Sequence, residues 1–236
     1  MKGFVLAVAL LVMGSCAKEV EPTGNLIISG NVKGLKDGKL FIRKMVDTSL
    51  VAVDTIVISG DSSFRTGMDI ASPEMFYLEL DRGVTTSIDD RLPFFAEPGN
   101  IHIETTLEKF YADAKVTGSK NHDLFEQYNQ VKARFAGQEL DLTKKELESA
   151  LGKNASGEDL DAKYQAILKK KYLHAINFAL NHRDQEIAPY IALTEINDAS
   201  LKYLDTINNS LSPEIKKSKY GKVLEQFVEA RRKAEK

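Results

Sequence analysis

The chain has one cysteine, four histidines and, beyond its first residues, no apolar run long enough to cross a bilayer. A single thiol, Cys16, cannot close an internal disulfide. It cannot run dithiol exchange either, because that chemistry needs an attacking thiolate and normally a resolving thiol. There is no basic excess: 32 Lys and Arg stand against 34 Asp and Glu, for a net charge of −2. Nucleic-acid binding, which wants a strongly basic face, is therefore not expected. No Gly-x-Ser-x-Gly elbow is present. The histidines make no zinc pair. His174 and His182 share a helical stretch but are not at i, i+4 spacing, His122 lies near a helix start, and His102 faces away from its neighbours Ile101 and Ile103. Asp81, Asp89 and Asp90 match no calcium loop and read as a solvated turn. Gly30, Gly34 and Gly38 are evenly spaced, yet no helix follows to complete a phosphate cradle. Nothing singles out two of the 34 acids as a glycosidase pair. The expectation is no catalytic residue, no metal and no cofactor.

What is present begins at the amino terminus. Lys2 precedes an apolar run over residues 4–13, too short to span a membrane, which ends in Gly14-Ser15-Cys16. This resembles the lipobox of bacterial lipoproteins, with Met13 in the place usually held by Leu. The resemblance implies a signal peptide over residues 1–15, cleavage before Cys16, and lipid on the Cys16 sulfur and the new amino group. Loss of Lys2 would leave the mature chain one unit more negative. Residues 16–24 then form the lipidated cysteine and a tether, broken by Pro22 and Gly24 and reaching about 15 Å as a random coil. Glu19 and Glu21 beside Lys18 resemble the charged segment that sends some Bacteroidetes lipoproteins to the cell surface; a solvated linker is the alternative. The expected location is the cell envelope, anchored to the outer membrane by lipid and facing either the periplasm or the medium.

Residues 25–118 read as β. Apolar runs of strand length occupy residues 26–32, 40–46, 51–58, 64–68, 75–80, 92–96, 101–105 and 114–116, separated by turn residues. Asp37-Gly38 between two such runs is a hairpin signal. In 75–80, Phe76, Leu78 and Leu80 point inward and Tyr77 and Glu79 outward. Residues 119–236 read as helical. Ser119 or Asn121 can cap a helix with the stripe Leu124, Tyr128, Val131, Phe135. A charged stretch over 137–157 predicts a short helix and a loop. Leu160 opens the longest predicted helix, running to about His182, and Pro189, Ser200 and Tyr220 start further helical segments. The predicted fold is α+β: an antiparallel β-sandwich or partly open barrel, followed by an all-helical domain.

Five short motifs occur in order: Gly30-Asn31-Val32; Val53-Asp54-Thr55; Gly60 with Phe64; Phe94-Phe95-Ala96-Glu97-Pro98-Gly99-Asn100-Ile101; and Val116-Thr117-Gly118-Ser119 before Asn121. Together they resemble the DUF4369 domain of Bacteroidetes lipoproteins, over roughly residues 24–125. In that family the domain usually precedes a thioredoxin-like domain with a Cys-x-x-Cys site. Here the chain stops at Lys236, where that part would begin, and no second cysteine is present. The oxidoreductase activity is therefore not carried over.

Phe94 and Phe95 are neighbours on a strand and cannot both point inward. Either one of them, or Tyr77 on an adjacent strand, lies on an open face that can hold a sugar ring or a partner, or the helical half covers that face and the two phenylalanines join the halves. Asp54-Thr55-Ile56 and Asp205-Thr206-Ile207 both resemble the short acceptor of Bacteroidetes O-glycosylation, with Thr206, near a predicted helix end, the better candidate and Thr55 the second. The expectation is a non-catalytic, lipid-anchored binding or accessory protein, partnering thioredoxin-like envelope proteins. The alternative is surface capture of a glycan or peptide; an enzyme without a recognised motif is a third reading.

Overall fold

The computed structural model describes residues 21–83, 87–152 and 159–235. Residues 1–20, which include Cys16, the expected signal peptide and most of the expected tether, lie outside the described residues. Eight strands come first: β1 (Leu26–Lys33), β2 (Asp37–Val46), β3 (Ser49–Ser59), β4 (Ser63–Met68), β5 (Glu74–Asp81), β6 (Arg91–Ala96), β7 (Gly99–Thr106) and β8 (Lys115–Thr117). Six helices follow: α1 (Lys120–Ala150), α2 (Leu160–Asn181), α3 (Ile187–Glu195), α4 (Leu201–Ser210), α5 (Pro213–Lys217) and α6 (Lys219–Ala234). The strands form two four-stranded sheets, β4-β1-β7-β8 and β3-β2-β5-β6. The sheets stack face to face and do not close into a barrel. The first is mixed, because β1 and β7 run parallel while the other pairs are antiparallel.

The strands sit where the alternating apolar pattern places them, but two connections differ from the local signals. Asp37-Gly38 is not a hairpin turn: it opens β2 and pairs with Ser59 and Ile58. The chain crosses between sheets just before it, where Leu35 is buried and its N–H bonds the Val32 carbonyl. Burial of that one leucine between the sheets outweighs the turn chemistry of the next two residues. The tight hairpin is instead β2–β3, with Asp47 left-handed at φ 52°. The Glu97-Pro98-Gly99 turn likewise passes from one sheet to the other. Gly30 sits where the parallel neighbour comes close: a Cβ there would lie 2.0 Å from the Ile103 carbonyl oxygen and 2.8 Å from the Phe64 ring.

The helical half holds a larger departure. Instead of ending near Gly137, α1 continues through residues 138–150, so it and not α2 is the longest helix. That stretch is rich in Glu, Leu and Lys and free of proline, so local propensity favours continuation. Tertiary contacts hold it against α2: Leu142 is buried, Thr143 Oγ1 and the Tyr164 hydroxyl are 2.6 Å apart, and Lys171 Nζ meets Glu139 at 2.8 Å. The short α5 begins at Pro213, with Ser212 capping it through the Ile215 N–H.

Two apolar cores result. One fills the sandwich, around Leu26, Ile28, Leu40, Leu78, Phe94 and Ile101. The other fills the helices, around Ala175, Ile187, Ile191, Leu204 and Leu224, and it takes in Met75 and Phe95 from the sandwich. The helices therefore cover part of the outer face of the second sheet.

Candidate functional site

The seam between sandwich and helices is built from two consecutive residues. Side chains alternate across a strand. Phe94 enters the sandwich core, edge-on to Phe76 at 6.1 Å, and Phe95 enters the helical core, edge-on to Tyr190 at 5.4 Å and Tyr220 at 6.2 Å. Both are fully buried, so neither presents an aromatic face to a ligand. Tyr77 packs partly buried against the same cluster, and that burial raises its phenol above the usual range despite Arg91 nearby. The open aromatic surface is thus replaced by a joint. Glu79, on the same outward row, is also buried, between Arg43 at 3.1 Å and Arg91 at 2.8 Å.

Polar groups lock this joint. Ser119 caps α1, its hydroxyl accepting the His122 N–H at 3.0 Å. The Glu97 carboxylate takes the next free donors of the helix, the Lys120 N–H at 2.5 Å and the Asn121 N–H at 3.3 Å, where negative charge suits the helix dipole. Asn121 does not cap. It donates from Nδ2 to Glu97 at 2.6 Å and accepts from the Ile187 N–H at 3.0 Å, so it ties the turn after β6, α1 and α3 together. His122, buried beside it, accepts the Phe95 N–H at Nδ1 (3.4 Å), and its Nε2 lies 3.3 Å from Glu126. Burial lowers its pKa below the ordinary histidine value; the charges of Glu126, Asp123 and Glu97 oppose this. Across the seam the Tyr220 hydroxyl accepts the Met75 N–H at 3.0 Å, and buried Glu74 pairs with Lys44 at 3.3 Å and with Lys219.

A groove of about 600 Å³ opens along this seam. Glu97, Asp184, Glu186 and Glu214 line it, with Lys217 as its lining cation. Glu186 is 1% exposed. One of its oxygens accepts the Tyr220 N–H at 2.9 Å, while Oε2 has no hydrogen-bond partner. Burial raises its pKa above the usual carboxylate range, against the Ser218 hydroxyl, the Tyr220 N–H and the Lys219 ammonium. An acidic groove with a buried acceptor to spare suits an ammonium or guanidinium group. Among the described residues no three His, Cys, Asp or Glu side chains are placed to hold a metal ion.

The other sequence candidates fall elsewhere. His102 is exposed and pairs with Glu104 at 2.6 Å. Asp90 does not sit in a solvated turn: it is buried and bonds Arg82 Nε at 2.7 Å. Thr55 is exposed on β3, an edge strand of its sheet. Thr206 is exposed in the middle of α4 rather than near its end, and its hydroxyl donates to the Lys202 carbonyl at 2.7 Å. Cys16 lies outside the described residues. Glu186 and the bridging role of Asn121 were not legible beforehand; the one local signal was a carboxylate just ahead of the apolar helix that contains Pro189.

No curated protein matches the chain. Residues 26–125 match the family model of DUF4369, a domain of unknown function. The matched span takes in all eight strands and the start of α1, so the Glu97 and Asn121 motifs both fall inside it. The chain carries a DUF4369 domain, and that domain is the β-sandwich together with the helix start that Glu97 and Asn121 bind to it.

Proposed function

We propose that the protein is a non-catalytic binding module, held to the envelope by lipid on Cys16, which uses the seam groove to take a cationic segment of a partner protein. The observation that carries this reading is the groove itself: four carboxylates face one lysine, and buried Glu186 keeps an unpartnered oxygen at its floor. The other buried polar groups of the seam, Glu74, Asn121 and His122, are engaged in joining the two halves. This assigns them to architecture and leaves the groove for recognition. The lipobox resemblance supplies the anchor, and the family resemblance makes thioredoxin-like envelope proteins the first partners to test.

The test has two arms. Radiolabelled palmitate should mark the wild-type chain in cells and not the Cys16→Ser variant; equal labelling removes the anchor. Fluorescence anisotropy should show a labelled peptide of alternating Lys and Gly binding the folded protein, while its Glu–Gly counterpart does not. Glu214→Lys with Asp184→Lys should weaken that binding about tenfold, as two reversed groove charges at about 0.7 kcal/mol each would give. Binding that ignores these substitutions sinks the groove reading, and so does no binding at all.

A further inference from the structure

A second cleft, of about 300 Å³, lies wholly within the helical half, between α1, α2 and the end of α3. Its size falls at the lower end of pockets that enclose small molecules. At its wall the His174 ring stacks on Tyr128, with centroids 5.0 Å apart and planes 12° from parallel. Burial lowers the His174 pKa, so its neutral form is favoured at neutral pH, and a hydrogen bond with the Tyr128 backbone opposes that shift. A neutral imidazole has one accepting nitrogen, and Nε2, buried with no partner, is the nitrogen left for a ligand.

The rest of the lining is polar and balanced in charge. Lys132 meets Glu195 at 2.7 Å; burial and the Glu195 charge raise the Tyr128 phenol above its usual range, and Asp198 raises that of Tyr172. Two carboxylates and the two lysines Lys132 and Lys171 offset one another. Such a cleft gives no net preference to an anion or a cation. A purely apolar guest would leave Nε2 unsatisfied and desolvate the charged pairs. A neutral ring bearing several hydroxyls meets every requirement: one hydroxyl donates to Nε2, others bond the carboxylates, ammonium groups and Asn197, and its carbon face lies against Phe135.

We infer that this helical cleft is a binding site for a neutral saccharide, one or two rings in size, with His174 Nε2 accepting a ligand hydroxyl. The inference is independent of the seam groove.

Saturation-transfer NMR on the full chain would test it, using glucose, galactose, mannose and N-acetylglucosamine as probes, with glucosamine and glucuronate as charged controls. At least one neutral sugar should receive saturation. His174→Phe keeps a ring against Tyr128 and removes the acceptor, so it should weaken binding about tenfold, the loss of one hydrogen bond to an otherwise orphaned group. Leu168 is 42% exposed at the mouth, and Leu168→Trp should block binding while thermal unfolding stays unchanged. Transfer to none of the neutral sugars overturns the inference. So does binding confined to the charged controls, and so does affinity unaffected by either substitution.

Discussion

Asn121→Ala is the sharpest perturbation of the seam. The side chain is buried and makes two bonds, one from Nδ2 to the Glu97 carboxylate and one to the buried Ile187 N–H. A hydrogen bond to a charged group contributes about 1.5–3 kcal/mol, and an orphaned buried N–H costs about 1–3 kcal/mol. Glu97 keeps its backbone bonds to Lys120 and residue 121, so the cap itself survives. The loss should therefore be roughly 3–5 kcal/mol, a large part of the ~5–15 kcal/mol of a typical domain. Urea unfolding followed by circular dichroism measures it, and a cycle with Glu97→Gln isolates the pair. A coupling energy above about 1 kcal/mol is expected between residues in direct contact. Asn121→Asp is the discriminating variant: it preserves an acceptor for Ile187 but sets a second carboxylate against Glu97. It should be at least as damaging as alanine near neutral pH and recover as acid protonates the carboxyl groups. A loss under about 1 kcal/mol for Asn121→Ala, or no acid recovery for Asn121→Asp, would refute the claim that this bridge holds the seam.

His122 has a folded pKa below its ordinary value, so the unfolded chain binds more protons as pH falls below about 6.5. Stability should drop through that window, and His122→Gln should flatten the slope in thermal melts; an unchanged slope refutes the assignment. Glu186 has the opposite sign, since a raised carboxyl pKa means that the folded state holds the extra proton. Its ionisation should erode stability as pH rises from the normal carboxylate range to its folded pKa, and Glu186→Gln should remove that part of the pH dependence. Gly30→Ala drives a Cβ into the Ile103 carbonyl, backbone against backbone, and should destabilise by about 1–3 kcal/mol or more; a neutral result by denaturant unfolding would mean that β1 and β7 can separate. Gly137 lies exposed inside α1, and an added Cβ there would meet no atom within 4 Å, so Gly137→Ala should stabilise by about 0.5–1 kcal/mol in the same assay.

The strands were legible because alternation is enforced by burial on one face, and Leu26, Ile28, Leu40 and Ile42 are all fully buried as that pattern requires. Which strands share a sheet was not. Asp37-Gly38 carries a hairpin's chemistry, yet the pairing of β1 with β7 is parallel and long-range, and no local residue announces it. The length of α1 was hidden for a related reason: Gly137 marks a local cost, while the contacts of Leu142, Thr143 and Lys171 that repay it come from α2. The site was less legible still. Glu186 gains its meaning from burial against α6, and His174 from the ring of Tyr128, and neither environment is written beside the residue in the chain.

The motifs that mark the domain and the groups free to bind a ligand are largely different residues. Gly30 admits the Ile103 carbonyl, Phe94 and Phe95 divide between two cores, and Glu97 and Asn121 fasten the sandwich to α1 and α3. Each is explained by packing or by hydrogen-bond satisfaction, with no ligand required. Glu97 and Asn121 also reach the wall of the seam groove, and there both are already engaged: the Glu97 carboxylate takes three donors, and Asn121 bonds Glu97 and the Ile187 N–H. Among the described residues, the buried side-chain acceptors without partners, Glu186 Oε2 and His174 Nε2, both stand on the helical half, beyond the matched span. The matched motifs thus report how this sandwich is built and joined to a helix. If the two proposed sites are the binding sites, recognition falls to the helices laid upon the sandwich, so chains that share the sandwich and differ in those helices should differ in ligand.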